Sequence, residues 1–197
     1  MRVTFDPAHT AVLAMDCQTG IVSLYSKSQD EFIKRASGVL KAARALEMLV
    51  IQVQVGFRPG LPEMSSRNKL LGAIKSSKQH QEFFQGSSGA IHPALGPEPA
   101  DIIVTKHRVS AFVGTDLEMI LRANNIDSIV LFGIATSGVV LSTLLEANDK
   151  DYRLVVIADC CADLDMELHR TLLERFFPTR AEVITTEEFR DCLNCTN

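Results

Sequence analysis

Residues 127–143 read Asp-Ser-Ile-Val-Leu-Phe-Gly-Ile-Ala-Thr-Ser-Gly-Val-Val-Leu-Ser-Thr. Ile129 to Phe132 form a short β-branched and aromatic run, the pattern of a strand buried on both faces. Gly133 interrupts the run. The residues then turn small and apolar, and a helix is expected over residues 137–150. A strand that passes directly into a helix start brings backbone N–H groups and the positive helix end to one edge of a sheet. An anion or oxyanion is stabilised there.

The same alternation extends outward in both directions. Strands are expected over residues 10–16, 48–57, 101–106, 128–132, 153–158 and 181–185. Helices are expected over 30–48, 65–78, 115–124, 137–150 and 166–176, with a short helix closing the chain. In the first of these, Phe32, Ala36, Val39, Leu40 and Ala43 recur at helical spacing. Residues 58–62 form a loop rich in proline and glycine. Residues 86–99 form a long irregular one, of the kind that is often functional in compact domains. Strands alternating with helices predict an α/β fold with a parallel sheet covered on both faces. No repeat, low-complexity segment or linker divides the chain, so a single domain over residues 1–197 is expected. Ligands of such sheets bind beyond the carboxyl ends of the strands, near the point where strand order reverses.

Composition bounds the function. The chain has 197 residues, 46% of them hydrophobic, enough for a full core. Net charge is -4 and the pI is about 5.7, so no basic field for nucleic acid is present. No run reaches the roughly 18 apolar residues of a membrane span. Residues 1–7 carry charges and lack the apolar centre of a secretory signal, and a cytoplasmic location is expected. Five cysteines, an odd number with two adjacent, fit a reducing compartment. Cys192 and Cys195 have zinc or redox spacing but no second ligand pair beside them. A mean hydropathy of +0.11 points to an apolar contact surface and a homo-oligomer, dimer or larger. The helix carrying Leu141, Leu144 and Leu145 is a candidate surface.

Asp16 and Lys106 each close an apolar strand run, so a carboxylate and an ammonium are expected to meet in one crevice. They form either an ion pair capping the sheet or a reactive acid beside a cation. Arg58 is either a clamp for a substrate carboxylate or a solvated loop residue. Phe112 lines the pocket or belongs to the core. Ser137 reads as a helix cap. Cys17, one residue from Asp16, alternates toward the core.

Several segments, in order, resemble one family. They are Asp16-Cys17-Gln18, Gly56-Phe57-Arg58-Pro59-Gly60, Gly89-Ala90-Ile91-His92-Pro93 and Lys106-His107-Arg108-Val109-Ser110-Ala111-Phe112. Gly133-Ile134-Ala135-Thr136 and Asp159-Cys160-Cys161-Ala162-Asp163 followed by His169 complete the set. The chain resembles the isochorismatase-like hydrolases, many of which are cysteine hydrolases. Alternation and resemblance together predict a three-layer α/β/α sandwich with a six-stranded parallel sheet in the order 3-2-1-4-5-6. The resemblance implies that Asp16 is the catalytic acid/base and that Lys106 pairs with it and stabilises charge. It also implies that Gln18 stands on the pocket wall and that the Ile134–Ala135 peptide is cis. Substrate contacts are expected from Gln18, Arg58, Phe112, Ile134, Ala135, Ser137 and Val139.

Val139 occupies the place of the family's nucleophilic cysteine. Valine has no lone pair and no titratable proton, so a thioester cannot form there. Isochorismatases in the family also lack this cysteine; there the aspartate protonates the double bond of a vinyl ether and water then adds. Nicotinamidase-type members hold zinc through an Asp-x-His and a second His. His9, His80, His92, His107 and His169 lack that spacing, so no metal or other cofactor is expected. The expected function is hydrolysis of a small polar metabolite without a cysteine nucleophile. Two alternatives stay open: a catalytically silent binding protein of the same fold, and an amide hydrolase with a displaced nucleophile such as Cys160 or Cys161. A small molecule is the expected partner, with neither nucleic acid nor membrane.

Overall fold

The computed structural model describes residues 3–26 and 28–194. Its strands are β1 (Thr10–Met15), β2 (Leu49–Val55), β3 (Ile102–Lys106), β4 (Ser128–Ile134), β5 (Arg153–Ala162) and β6 (Glu182–Ile184). They pair in parallel throughout, in the order β3-β2-β1-β4-β5-β6. The chain builds outward from β1 to β3, then returns to the other side of β1. Strand order therefore reverses between β1 and β4, and the crevice beyond their carboxyl ends is where a ligand is expected.

Nine α-helices accompany the sheet among the described residues: α1 (Thr19–Tyr25), α2 (Gln29–Ala45), α3 (Lys69–Lys75), α4 (Lys78–Glu82), α5 (Gly86–Gly89), α6 (Leu117–Ala123), α7 (Leu141–Asn148), α8 (Met166–Thr171) and α9 (Thr186–Asn194). A π-helical turn, Thr136–Val140, precedes α7, and another, Leu172–Phe176, follows α8. Every residue of β1 is buried, which requires cover on both faces of the sheet. On one side α2 presents the predicted stripe of Phe32, Ala36, Val39, Leu40 and Ala43 and packs against β2 and α9.

Four local features depart from the expectation, each for a physical reason. The single helix expected over residues 65–78 is divided: α3 ends at Lys75, and α4 begins at Lys78 and runs beyond the expected span, because Asn68 and Ser77 each cap a separate start. The Asn68 side chain accepts from Leu71 N at 3.0 Å, and Ser77 Oγ accepts from His80 N at 3.3 Å. Strand β5 runs four residues past its predicted end and takes Cys160 and Cys161 into the sheet, where β4 pairs with it as far as Ala162. Helix α1 falls in a segment whose β-branched and aromatic residues gave no helical signal. Leu144 is fully buried in the core, so the face of α7 that was a candidate contact surface is largely spent on packing.

Gly133 lies inside β4 with φ 147°. A Cβ there would sit 2.1 Å from the Met15 carbonyl oxygen. Only glycine permits β1 and β4 to pair this closely at the crevice.

Candidate active site

The chain leaves β1 at Asp16, whose φ of 55° is left-handed, a conformation that short polar side chains tolerate best among non-glycine residues. Its N–H still donates to Val53 O at 2.8 Å. Asp16 Oδ2 meets Lys106 Nζ at 2.8 Å, and Lys106 Nζ also donates to Arg108 O at 3.0 Å. Both side chains are buried. Burial holds the Asp16 carboxyl above its ordinary value, while the charge and hydrogen bond of Lys106 pull the other way. The second oxygen, Asp16 Oδ1, is buried without a hydrogen-bond partner among the described residues. A charged oxygen in that state is costly, and taking up a proton lowers the cost.

The pair opens into a cavity of about 440 Å³, within the range of small-molecule sites. Ile134, Ala135 and Val139 line it beside Asp16 and Lys106, and the Ile134–Ala135 peptide is cis. The helix start here offers fewer N–H groups to an anion than the sequence suggested. Ser137 N donates to Asp163 Oδ2 at 2.7 Å, while Gly138 N and Val140 N both donate to Ala135 O, at 3.1 and 3.3 Å. Thr136, on the same turn, is fully buried, and its Oγ1 lies 2.8 Å from His169 Nδ1 and 3.2 Å from Ala162 O. Burial lowers the His169 pKa, against the opposing charge of Asp163.

Among the described residues no cysteine lines this cavity. Cys17 is buried with Sγ 3.6 Å from Met15 O. Cys160 contacts Thr186 Oγ1 at 3.5 Å, and burial pushes its thiol up to about 12. Burial likewise raises Cys17 and Cys161. Cys195 lies outside the described residues. Among the described residues no three His, Cys, Asp or Glu side chains gather into a metal-binding cluster.

The order of strands agrees with comparison to known proteins, and the isochorismatase domain matches residues 10–188. This chain belongs to the isochorismatase family. Its members are hydrolases. The chain is 33% identical to the isochorismatase family protein YwoC of Bacillus subtilis, over 95% of each chain. It is 30% identical to the ureidoacrylate amidohydrolase RutB of Methylobacterium radiotolerans, over 94% of this chain and 81% of that one. A solved isochorismatase family protein from Burkholderia thailandensis superposes with a TM-score of 0.86 at 31% identity, covering 98% of this chain and 100% of the other.

Within this isochorismatase-family site, four residues expected to touch substrate sit elsewhere. Gln18 is fully buried and braces the edge of the cavity instead of lining it. Its Nε2 donates to Val55 O at 2.9 Å and Gly89 O at 2.6 Å, and its Oε1 accepts from Val55 N at 2.8 Å. Arg58 points to solvent, its side chain 67% exposed and paired to Glu63 at 2.5 Å. A loop carboxylate five residues on captures it. Phe112 is core, stacked on Tyr152 with ring centroids 6.3 Å apart. Its neighbours Ser110 and Ala111 are tied to α7 through Glu146 and Thr143. Ser137 contributes its N–H to Asp163 and does not line the cavity.

Other residues take those places. Arg108 lines the cavity, and its guanidinium donates to His107 O at 2.6 Å. Phe57 and Phe84 meet edge to face at 5.4 Å on the wall. Leu24 and Tyr25 arrive from α1, and Leu70 and Leu71 from α3. Arg108 stood inside a quoted motif and could have been found there. The residues of α1 carried no helical signal, while Leu70 and Leu71 belong to an expected helix whose place over the cavity the sequence did not indicate.

Among the described residues no helix is long and apolar enough to cross a membrane.

Proposed function

We propose that this protein hydrolyses a small organic substrate without a covalent thioester, with Asp16 as general acid/base and Lys106 as its charge partner. The observation that carries this reading is Asp16 Oδ1: a buried carboxylate oxygen, without a hydrogen-bond partner among the described residues, on a residue that lines the cavity. With its pKa raised by burial, Asp16 is suited to hold a proton and deliver it. On a vinyl ether, that proton goes to the terminal carbon of the double bond. The resulting oxocarbenium ion is trapped by water, which returns a proton to the Asp16 carboxylate. The hemiketal then collapses to a carbonyl compound and a free alcohol. Lys106 stabilises the carboxylate form between these steps. No step requires a nucleophile at Val139.

Relatives named as amidohydrolases, such as RutB, favour a second reading in which the substrate is an amide. The absence of any thiol among the described lining residues weighs against a covalent route for it. We further propose that the protein assembles with copies of itself.

The test is a turnover panel of vinyl ethers and small amides, run with wild type and Asp16→Asn. Turnover of a vinyl ether that falls by about 10²-fold or more in Asp16→Asn supports the proposal. Turnover of amides alone assigns the second reading. Saturable binding without turnover of either class would make the protein a silent member of its family and overturn the proposal.

A further inference from the structure

The sheet has a second concave site, at the end opposite Asp16. A cavity of about 580 Å³ opens at the amino ends of β4, β5 and β6, within the range of small-molecule sites. Val3, Leu154 and Pro178 give it apolar surface, and three charged side chains line it: Arg153, Arg180 and Glu182. All three are exposed. Although they share one cavity, none of them forms an ion pair among the described residues. Register places the two arginines. Val155 of β5 pairs with Glu182 of β6, and two residues earlier on each chain stand Arg153 and Arg180. Like charges on neighbouring chain segments repel, and a carboxylate between them relieves the repulsion. Arg180 is fixed in advance. Its guanidinium lies over the Phe176 ring, 4.3 Å from the centroid, and donates to Thr179 Oγ1 at 2.5 Å. A donor set held before a ligand arrives loses less freedom on binding.

The two signs of charge select the ligand. A plain anion gains from the arginines but meets Glu182, and a plain cation meets two arginines. A molecule that carries a carboxylate and an ammonium side by side satisfies all three groups. We propose that this cavity binds a free α-amino acid with an apolar side chain. Its carboxylate sits between Arg153 and Arg180, its ammonium faces Glu182, and its side chain covers Val3, Leu154 and Pro178. Each exposed ion pair alone adds little, so recognition depends on engaging both charges at once. The site is separate from the cavity that holds Asp16, and its occupation does not depend on the hydrolytic reading.

Titrations followed by amide chemical shifts test this on the full chain. The probes are leucine, 4-methylpentanoate (leucine without its ammonium), 3-methylbutan-1-amine (leucine without its carboxylate) and inorganic phosphate. They are added to wild type, Arg153→Gln and Glu182→Gln; both positions are exposed, and circular dichroism checks each fold. In wild type, leucine should shift the amides of Val155 and Glu182 and leave those of Ala135 and Val139, in the Asp16 cavity, in place. It should bind about fivefold or more tightly than 4-methylpentanoate, and the amine should give no saturable shift. Arg153→Gln should weaken leucine and 4-methylpentanoate alike, by about fivefold. Glu182→Gln should weaken leucine and strengthen 4-methylpentanoate, so that the preference between them disappears. A wild type that shows no saturable shift with leucine would overturn the proposal, as would shifts confined to the Asp16 cavity or a leucine preference that survives Glu182→Gln. Phosphate binding more tightly than leucine would make the cavity a plain anion site and overturn it as well.

Discussion

Two opposing pulls act on the proton of Asp16: burial favours the neutral acid and Lys106 favours the carboxylate. If the acid form starts the reaction, the rate holds while Asp16 is protonated and falls as pH rises through its pKa, which lies above its ordinary value. Removing the cation in Lys106→Gln takes away the pull that lowers this pKa. The alkaline limb of the kcat profile should therefore move to higher pH in that variant, with a lower plateau. A limb that stays in place or moves to lower pH contradicts the assignment. Val139 invites a complementary test. The native thiols of Cys17, Cys160 and Cys161 are buried with raised pKa values and lie off the cavity, so iodoacetamide should leave wild-type activity intact. In Val139→Cys the new thiol would line the cavity that holds Lys106, where a cation favours the thiolate. Mass spectrometry should find alkylation at residue 139 near neutral pH; an inert residue 139 shows that the cation does not reach it.

Short connections between elements hold the cavity open. Gln18 joins the end of β2 to α5 through three hydrogen bonds. Gln18→Ala would strand the N–H and carbonyl of Val55 and the carbonyl of Gly89, at about 2–4 kcal/mol. Urea unfolding should show this as a lower midpoint with an unchanged slope; a loss under about 0.5 kcal/mol would mean that water replaces the bonds freely. The contact of α8 with the π-helical turn runs through His169 and Thr136. The folded pKa of His169 is depressed by burial, so the unfolded chain binds the proton first as pH falls. Stability from this contact is complete above the unfolded value of about 6.5 and is lost as pH drops through the folded one. Thermal midpoints measured between pH 7.5 and 5 should decline, and His169→Gln should flatten that decline. An unchanged slope in the variant would remove His169 as the source.

The molecule as a whole leaves apolar surface in water away from its core. Leu164, Met166 and Leu168 are exposed around the start of α8, and Met119 is exposed on α6. With Leu144 withdrawn into the core, these residues replace α7 as the surface through which copies would associate. Sedimentation equilibrium should give a mass of at least twice 21.7 kDa. Leu168→Glu should shift that mass toward the protomer. A mass of one protomer at all concentrations rules out association.

Much of this protein is decided by its sequence alone. Buried parallel strands need continuous β-branched runs, and those runs mark β1, β2, β4 and β5 without reference to anything distant. Asp16 and Lys106 were legible for the same reason, since a charge that ends an apolar strand has one place to go. Val139, which lines the cavity, was legible as a residue that offers no nucleophile of its own, because its side chain has no heteroatom. The tertiary structure decided what depends on partners remote in the chain. Arg58 and Arg108 are alike in type and both stand in quoted motifs; only the position of Glu63 takes one of them from the cavity. Gln18 became a brace because β2 and α5 happen to converge on it, 37 and 71 residues away. The apolar walls of the cavity come from α1, α3 and the segment after α4; α3 was legible as a helix, but the place of all three over the crevice follows from packing between pieces too short to be stable alone.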